Sequence, residues 1–126
     1  MRPSPSTWGP TRAGWSDAHP STRPIGDAEV GYLLERYTRA TRLALRAGFD
    51  AIEIHAAHGY LLHSFLSPLS NTRGDAYGGD REGRMRLSLQ VAAAVRAAWP
   101  AGRPLFFRMS TVDGVGIGWS LADSIE

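Results

Sequence analysis

Two histidines and a tyrosine close the segment Asp50-Ala51-Ile52-Glu53-Ile54-His55-Ala56-Ala57-His58-Gly59-Tyr60. His55 and His58, three residues apart, are imidazoles able to converge on one oxygen, one carbonyl or one metal. Tyr60 adds a phenol two residues further on. Its ordinary pKa of about 10 keeps it protonated near neutrality and able to give up a proton. The residues before them, Ala51–His55, read as a short strand. Parallel-sheet enzymes place their chemistry just past the carboxyl ends of such strands.

Each of these residues has a plainer reading as well. His55, His58 and His63 are spaced His-x-x-His-x4-His, which is loosely zinc-like. No carboxylate falls at helical spacing to complete a hydrolytic site, so no metal is expected. His63 reads as a surface or helix-facing residue, and His19 is given no role. Tyr60 could simply fill a strand-end cavity with its ring and satisfy its hydroxyl locally. Arg108 could pair with Glu53 between adjacent strands.

The bulk composition narrows the classes of function. The chain has 126 residues, 43% hydrophobic and 21% charged, enough for one ordinary small domain. A net charge of +2 is too small to argue for nucleic acid. There is no lysine, which removes Schiff-base and P-loop lysine chemistry from this chain. There is no cysteine either, which removes disulfides and thiolate catalysis and is compatible with the cytoplasm. The N-terminus lacks a secretory apolar core, and no apolar run reaches membrane-helix length.

The elements that must position the site follow from periodicity. Residues 1–24, rich in Pro, Ser, Thr and Gly, read as an irregular lead-in, although Trp8 and Trp15 are apolar enough to pack. A helix begins at Gly26 or Asp27, with Val30, Leu33, Leu34, Tyr37, Ala40, Thr41 and Ala44 as its apolar stripe and Gly48 as its stop. The strand Ala51–His55 should be covered on both faces, which makes Glu53 a buried carboxylate in need of a partner. Leu61–Leu66 is expected to form a turn or two of helix, and residues 71–79 carry turn chemistry. A second long helix runs from Arg81 to Trp99 behind an Asp80 cap, with Met85, Leu89, Ala92, Val95 and Trp99 on its buried side. Pro104–Ser110 is a second strand, Thr111–Gly118 a glycine-rich loop, and Ser120 the cap of a final helix. Long helices between short apolar strands imply parallel crossovers.

The stretch from Ala47 to Leu62 closely resembles the Old Yellow Enzyme family, in its two-histidine bacterial branch. Phe65-Leu66-Ser67-Pro68-Leu69-Ser70-Asn71, Asp75 with Tyr77-Gly78-Gly79, Glu82 with Arg84-Met85-Arg86, and Pro104–Ser110 resemble it in the same order. The similarity covers about residues 25–126. It implies an α/β fold, here a partial (β/α)8 TIM barrel of about two parallel strands with flanking helices. It implies FMN as cofactor and NAD(P)H as reductant, with hydride passing from reduced FMN to an electron-poor alkene or similar small molecule. By resemblance His55 and His58 hold the substrate oxygen, with Ala56 and Ala57 between them in the substrate site. Tyr60 is the proton donor and Arg108 contacts the flavin.

The departures from the family lie at Gly74, Ala76, Asp80 and Gly83, and in the glycines of the last loop. Gly83 in a first helical turn should weaken it by about 0.5–1 kcal/mol relative to Ala. A whole barrel takes about 250 residues, so the chain reads as a central fragment. Alone it is expected to be inactive and to bind FMN weakly or not at all, with the missing remainder of the barrel or a homo-oligomer as partner. A non-catalytic barrel remnant without flavin is the alternative, and a metal-dependent hydrolase fragment a third reading.

Overall fold

Apolar spacing between residues 30 and 44 produces a 20-residue helix in the computed structural model, which describes residues 7–12 and 22–126. This helix, α1, spans Asp27–Arg46. Its start carries half of a capping box: the Glu29 carboxylate accepts from the Gly26 N–H at 3.1 Å, while Gly26 has no side chain to answer it. Its end is a Schellman motif. Gly48 takes φ +86°, its N–H donates to Leu45 O, and the Phe49 N–H donates to Ala44 O. Val30 and Thr41 are buried and Leu33, Leu34, Tyr37 and Ala44 half-buried, whereas Ala40 of the expected stripe is exposed.

Before α1, two-residue strands β1 (Trp8–Gly9) and β2 (Arg23–Pro24) pair in parallel. After it come β3 (Ile52–Ala56), the short helix α2 (Leu61–Leu66), α3 (Arg81–Ala98), β4 (Leu105–Met109) and α4 (Leu121–Ile125). Strands β3 and β4 pair in parallel around α3, the βαβ arrangement expected of a barrel segment. Helices α1 and α3 pack on each other, and α2 packs on α3 and β3. The core lies on one side of the sheet, built from Ile54 and Ala56 of β3, Leu62 and Phe65 of α2, and Leu87, Val91 and Val95 of α3. Fully burying each of the larger side chains contributes about 1.5–3 kcal/mol.

Two expectations about burial are corrected. Glu53 is exposed, because the sheet face it shares with His55 has no layer of this chain against it. The buried face of α3 is also rotated from the expected one. Leu87, Ser88, Val91 and Val95 point inward, while Leu89 is 58% exposed and Met85 only half-buried. The sequence contains two overlapping apolar series, and contact with α1 and α2 selects the second. Trp99, also expected inside, is buried and donates its indole N–H to Pro104 O at 3.0 Å.

The lead-in is tied down by a residue far along the chain. The Arg73 guanidinium donates to Pro10 O at 3.0 Å and Ile25 O at 2.6 Å, and lies 5.8 Å from the Phe65 ring centroid. It also grips the Asp75 carboxylate. Trp8 packs on the core and meets Tyr32 edge-on at 5.7 Å. Trp15 and His19 lie outside the described residues.

Gly83 answers a need that helix propensity does not register. A Cβ there would stand 2.1 Å from Gly78 O, so the turn at 78–79 can approach α3 only over a glycine. Gly83→Ala is therefore expected to destabilise by about 1–3 kcal/mol, as overpacking does. Propensity alone has the opposite sign, and a urea melt separates the two.

Acid should loosen the Arg73 tie. The Arg73 guanidinium holds the Asp75 carboxyl below its ordinary 3.8. Between the folded and unfolded values the native state thus binds fewer protons than the unfolded chain. The resulting stabilisation is complete above the unfolded value and is lost as pH falls through the lower folded one. Between about pH 5 and pH 2, wild type should lose more stability than Asp75→Asn, as read by urea midpoints at several pH values.

Candidate functional site

Alternation along β3 sends Ile54 and Ala56 to the core and Glu53 and His55 to the opposite, open face. The β3–β4 register places Glu53 beside Phe106 and His55 beside Arg108. Register neighbours in a parallel pair point to the same side, so the imidazole and guanidinium share the open face at the carboxyl end of the sheet. Arg108 and Glu53 form no ion pair, because they sit two positions apart in register and nothing closes over them.

A turn then folds the remaining side chains back over His55. His58 (φ +59°) and Gly59 (φ +75°) are both left-handed, and the Tyr60 N–H donates to Ala57 O at 3.2 Å. Two consecutive positive φ values at the centre of a hydrogen-bonded turn are the mark of type I′. His58 is the one described non-glycine residue with positive φ. For a residue with a Cβ that backbone costs about 1–2 kcal/mol. The gain is convergence: the His58 ring centroid lies 5.2 Å from that of His55, and the Tyr60 centroid lies 5.5 Å from it. Tyr60 is 65% exposed and caps α2, and its carbonyl accepts from the Ser64 N–H at 2.8 Å. Ala56 and Ala57, between the two histidines in sequence, are buried, Ala56 on the core side of β3.

Sequence reasoning missed the residues that hold this turn. The His58 N–H donates to the Ser110 Oγ at 3.1 Å, and the Gly59 N–H to the Nδ1 of His63 at 2.7 Å. His63, expected at the surface or facing a helix, is in fact buried and works through both ring nitrogens. Its Nε2 lies 2.9 Å from the Asp113 Oδ1. Asp113 in turn accepts from the Ser67 hydroxyl at 2.7 Å and the Trp119 N–H at 2.6 Å. Histidine at position 63, three residues after Tyr60, was visible in the sequence. Nothing in the sequence joins it to a carboxylate fifty positions away in a glycine-rich loop.

Two shallow surface depressions, about 600 and 460 Å³, lie against the outer faces of α1 and α3, away from His55. The histidine–tyrosine–arginine group is an open shelf. Among the described residues, no three His, Cys, Asp or Glu side chains converge as for a metal ion. The third histidine of the zinc-like spacing is turned to Gly59 and Asp113. Among the described residues, no helix is long and apolar enough to cross a membrane.

Known proteins share this arrangement of elements. The sequence signature of the NADH:flavin oxidoreductase / NADH oxidase family matches residues 4–126. An NADPH dehydrogenase of Bacillus subtilis is 46% identical over 97 residues, which cover 77% of this chain and 28% of that protein. Morphinone reductase in complex with tetrahydroNAD superposes with a TM-score of 0.76 at 31% identity, covering 82% of this chain and 32% of that one. A 2-naphthoyl-CoA reductase, in complex with 2-naphthoyl-CoA, superposes with a TM-score of 0.89 at 26% identity, covering 96% of this chain and 18% of its own. The chain spans about a quarter to a third of the length of the curated relatives it matches. The fold is accordingly part of a (β/α)8 barrel, and the open face of β3 and β4 corresponds to the interior of the closed form.

The turn makes a testable demand. Gly59→Ala meets no atom within 4 Å, so its cost is backbone strain alone, about 1–2 kcal/mol. The variant should remain folded by circular dichroism while nuclear Overhauser contacts between the His55 and Tyr60 rings weaken.

Proposed function

Because the chain belongs to the NADH:flavin oxidoreductase / NADH oxidase family, we propose that it supplies the substrate side of an FMN-dependent NAD(P)H oxidoreductase of the ene-reductase type. One observation carries this reading. His55 stands beside Arg108 at the carboxyl end of the parallel pair, with the His58 and Tyr60 rings folded to within 5.5 Å of it.

The donor set fits one side of a flavin. A guanidinium presents five N–H donors and a fixed positive charge, suited to the carbonyl and N1 edge of an isoalloxazine. Arg108 would meet that edge. Bound FMN would supply the hydride, taken from NAD(P)H and destined for an electron-poor alkene or similar acceptor. His55 and His58 hold the substrate's carbonyl or nitro oxygen. Donors aimed at an atom that gains negative charge lower the barrier as an oxyanion hole does, by about 2.7–4 kcal/mol for one donor in a well-studied case. Tyr60 gives its phenolic proton to the carbon that is left electron-rich, and solvent can restore it because the side chain is exposed. Ala56 and Ala57 contribute the backbone of the substrate site between the two histidines. The substrate is a small molecule, and neither nucleic acid nor a membrane has a part in this reading. The cytoplasm is its proposed location, residues 25–126 its barrel segment, and the rest of a barrel or further copies of the chain its partner.

A chimaera gives the test, with residues 25–126 replacing the matching segment of the Bacillus subtilis NADPH dehydrogenase. It should retain flavin and reduce an α,β-unsaturated ketone with NADPH. His55→Ala and His58→Ala should each lower kcat/KM by about 10²–10³. Tyr60→Phe should lower kcat by about 10²–10⁴. Full turnover in all three variants would sink the assignment. The 126-residue chain alone, with its shelf open, should give no saturable quenching of FMN fluorescence at low micromolar concentrations.

A further inference from the structure

We infer that His63 and Asp113 are positioning residues, a buried clasp that sets the His58–Gly59 turn and so aims the His58 imidazole and the Tyr60 phenol at the space beside His55. This rests on the reading of His58 and Tyr60 given above. The tautomer follows from the partners. A backbone N–H can only donate, so His63 Nδ1, 2.7 Å from the Gly59 nitrogen, bears a lone pair. The proton then sits on Nε2 and is donated to Asp113 Oδ1 at 2.9 Å. Asp113 is held in its own place from two sides. It accepts from Ser67 at the end of α2 and from the Trp119 N–H, and its own N–H donates to Trp119 O at 2.9 Å. A Cβ at Gly118 would come within 2.4 Å of the Asp113 Cβ, so that loop closes only over glycine.

Packing alone does not call for this pair. An apolar side chain at position 63 would fill the space beneath the turn without the cost of burying an imidazole and a carboxylate. Gly59 is exposed, and water could satisfy its N–H. What the histidine adds is direction, one acceptor aimed at one donor in the turn. With the Ser110 Oγ on the next N–H, the loop after β4 fixes both left-handed residues between the two histidine–tyrosine rings. The same loop follows Arg108, so the substrate clamp and the flavin contact are set by one structure.

Nuclear magnetic resonance on the 126-residue chain tests this without flavin. Long-range ¹H–¹⁵N correlations should show His63 protonated on Nε2 and bare on Nδ1. In His63→Phe the Gly59 amide should exchange about ten-fold faster or more, while α3 amides keep their protection. Contacts between the His55 and Tyr60 rings should fall away in that variant. His63→Asn, whose Oδ1 takes the place of Nδ1, should restore Gly59 protection and the ring contacts. An Nδ1–H tautomer in wild type overturns the clasp. So does a folded His63→Phe with the ring contacts unchanged. Should His63→Phe fail to fold, the wild-type tautomer and the behaviour of His63→Asn decide. Since these readouts need no FMN, the clasp stands or falls separately from turnover by the chimaera.

Discussion

The site depends on one pairing, that of β3 with β4 in parallel and in the register His55 to Arg108. A slip of one residue would turn Arg108 to the core side and remove its guanidinium from beside the imidazoles. Everything that packs behind the sheet serves this register. Ile54 and Ala56 seat β3 on α2 and α3, and Leu87, Val91 and Val95 hold α3 beneath it. The front of the sheet carries Glu53, His55, Phe106 and Arg108 and is left open.

The architecture was legible because it is written in local signals. Gly48 stops α1, Asp80 caps α3 by accepting from the Gly83 N–H at 2.8 Å, and Ser120 caps α4 in a full capping box with Asp123. Strands β3 and β4 were placed to within a residue, since apolar runs between helices have few other uses, whereas the two-residue strands β1 and β2 lie in what read as an irregular lead-in. The His55–His58–Tyr60 spacing likewise reveals a group that can meet at a strand end. Spacing did not show how it meets. That required two left-handed residues in succession, for which Gly59 was a visible cue and His58 was not.

Non-local facts were the ones that sequence alone could not supply. The face of α3 that turns inward depends on α1 and α2, so Leu89 read as core and lies in solvent. Glu53 read as buried because a complete barrel would surround it. Gly83 read as a weakness, and its value appears only when Gly78 is seen pressing on it. Arg73, which joins the lead-in through the Pro10 and Ile25 carbonyls, α2 through the Phe65 ring and the 73–79 turn through the Asp75 carboxylate, carries no motif at all.

The partners in the β3–β4 ladder are drawn from positions 52–56 and 105–109. Half a hundred residues must be gathered before the first rung can form, and that closure is paid in chain entropy before any contact rewards it. Helices α1 and α3, made of near neighbours, have no such delay. The hydrogen bonds within each helix can therefore form without the long closure that the shelf requires. The meeting of imidazole and guanidinium in this fold is thereby tied to the docking of a single strand from far along the chain.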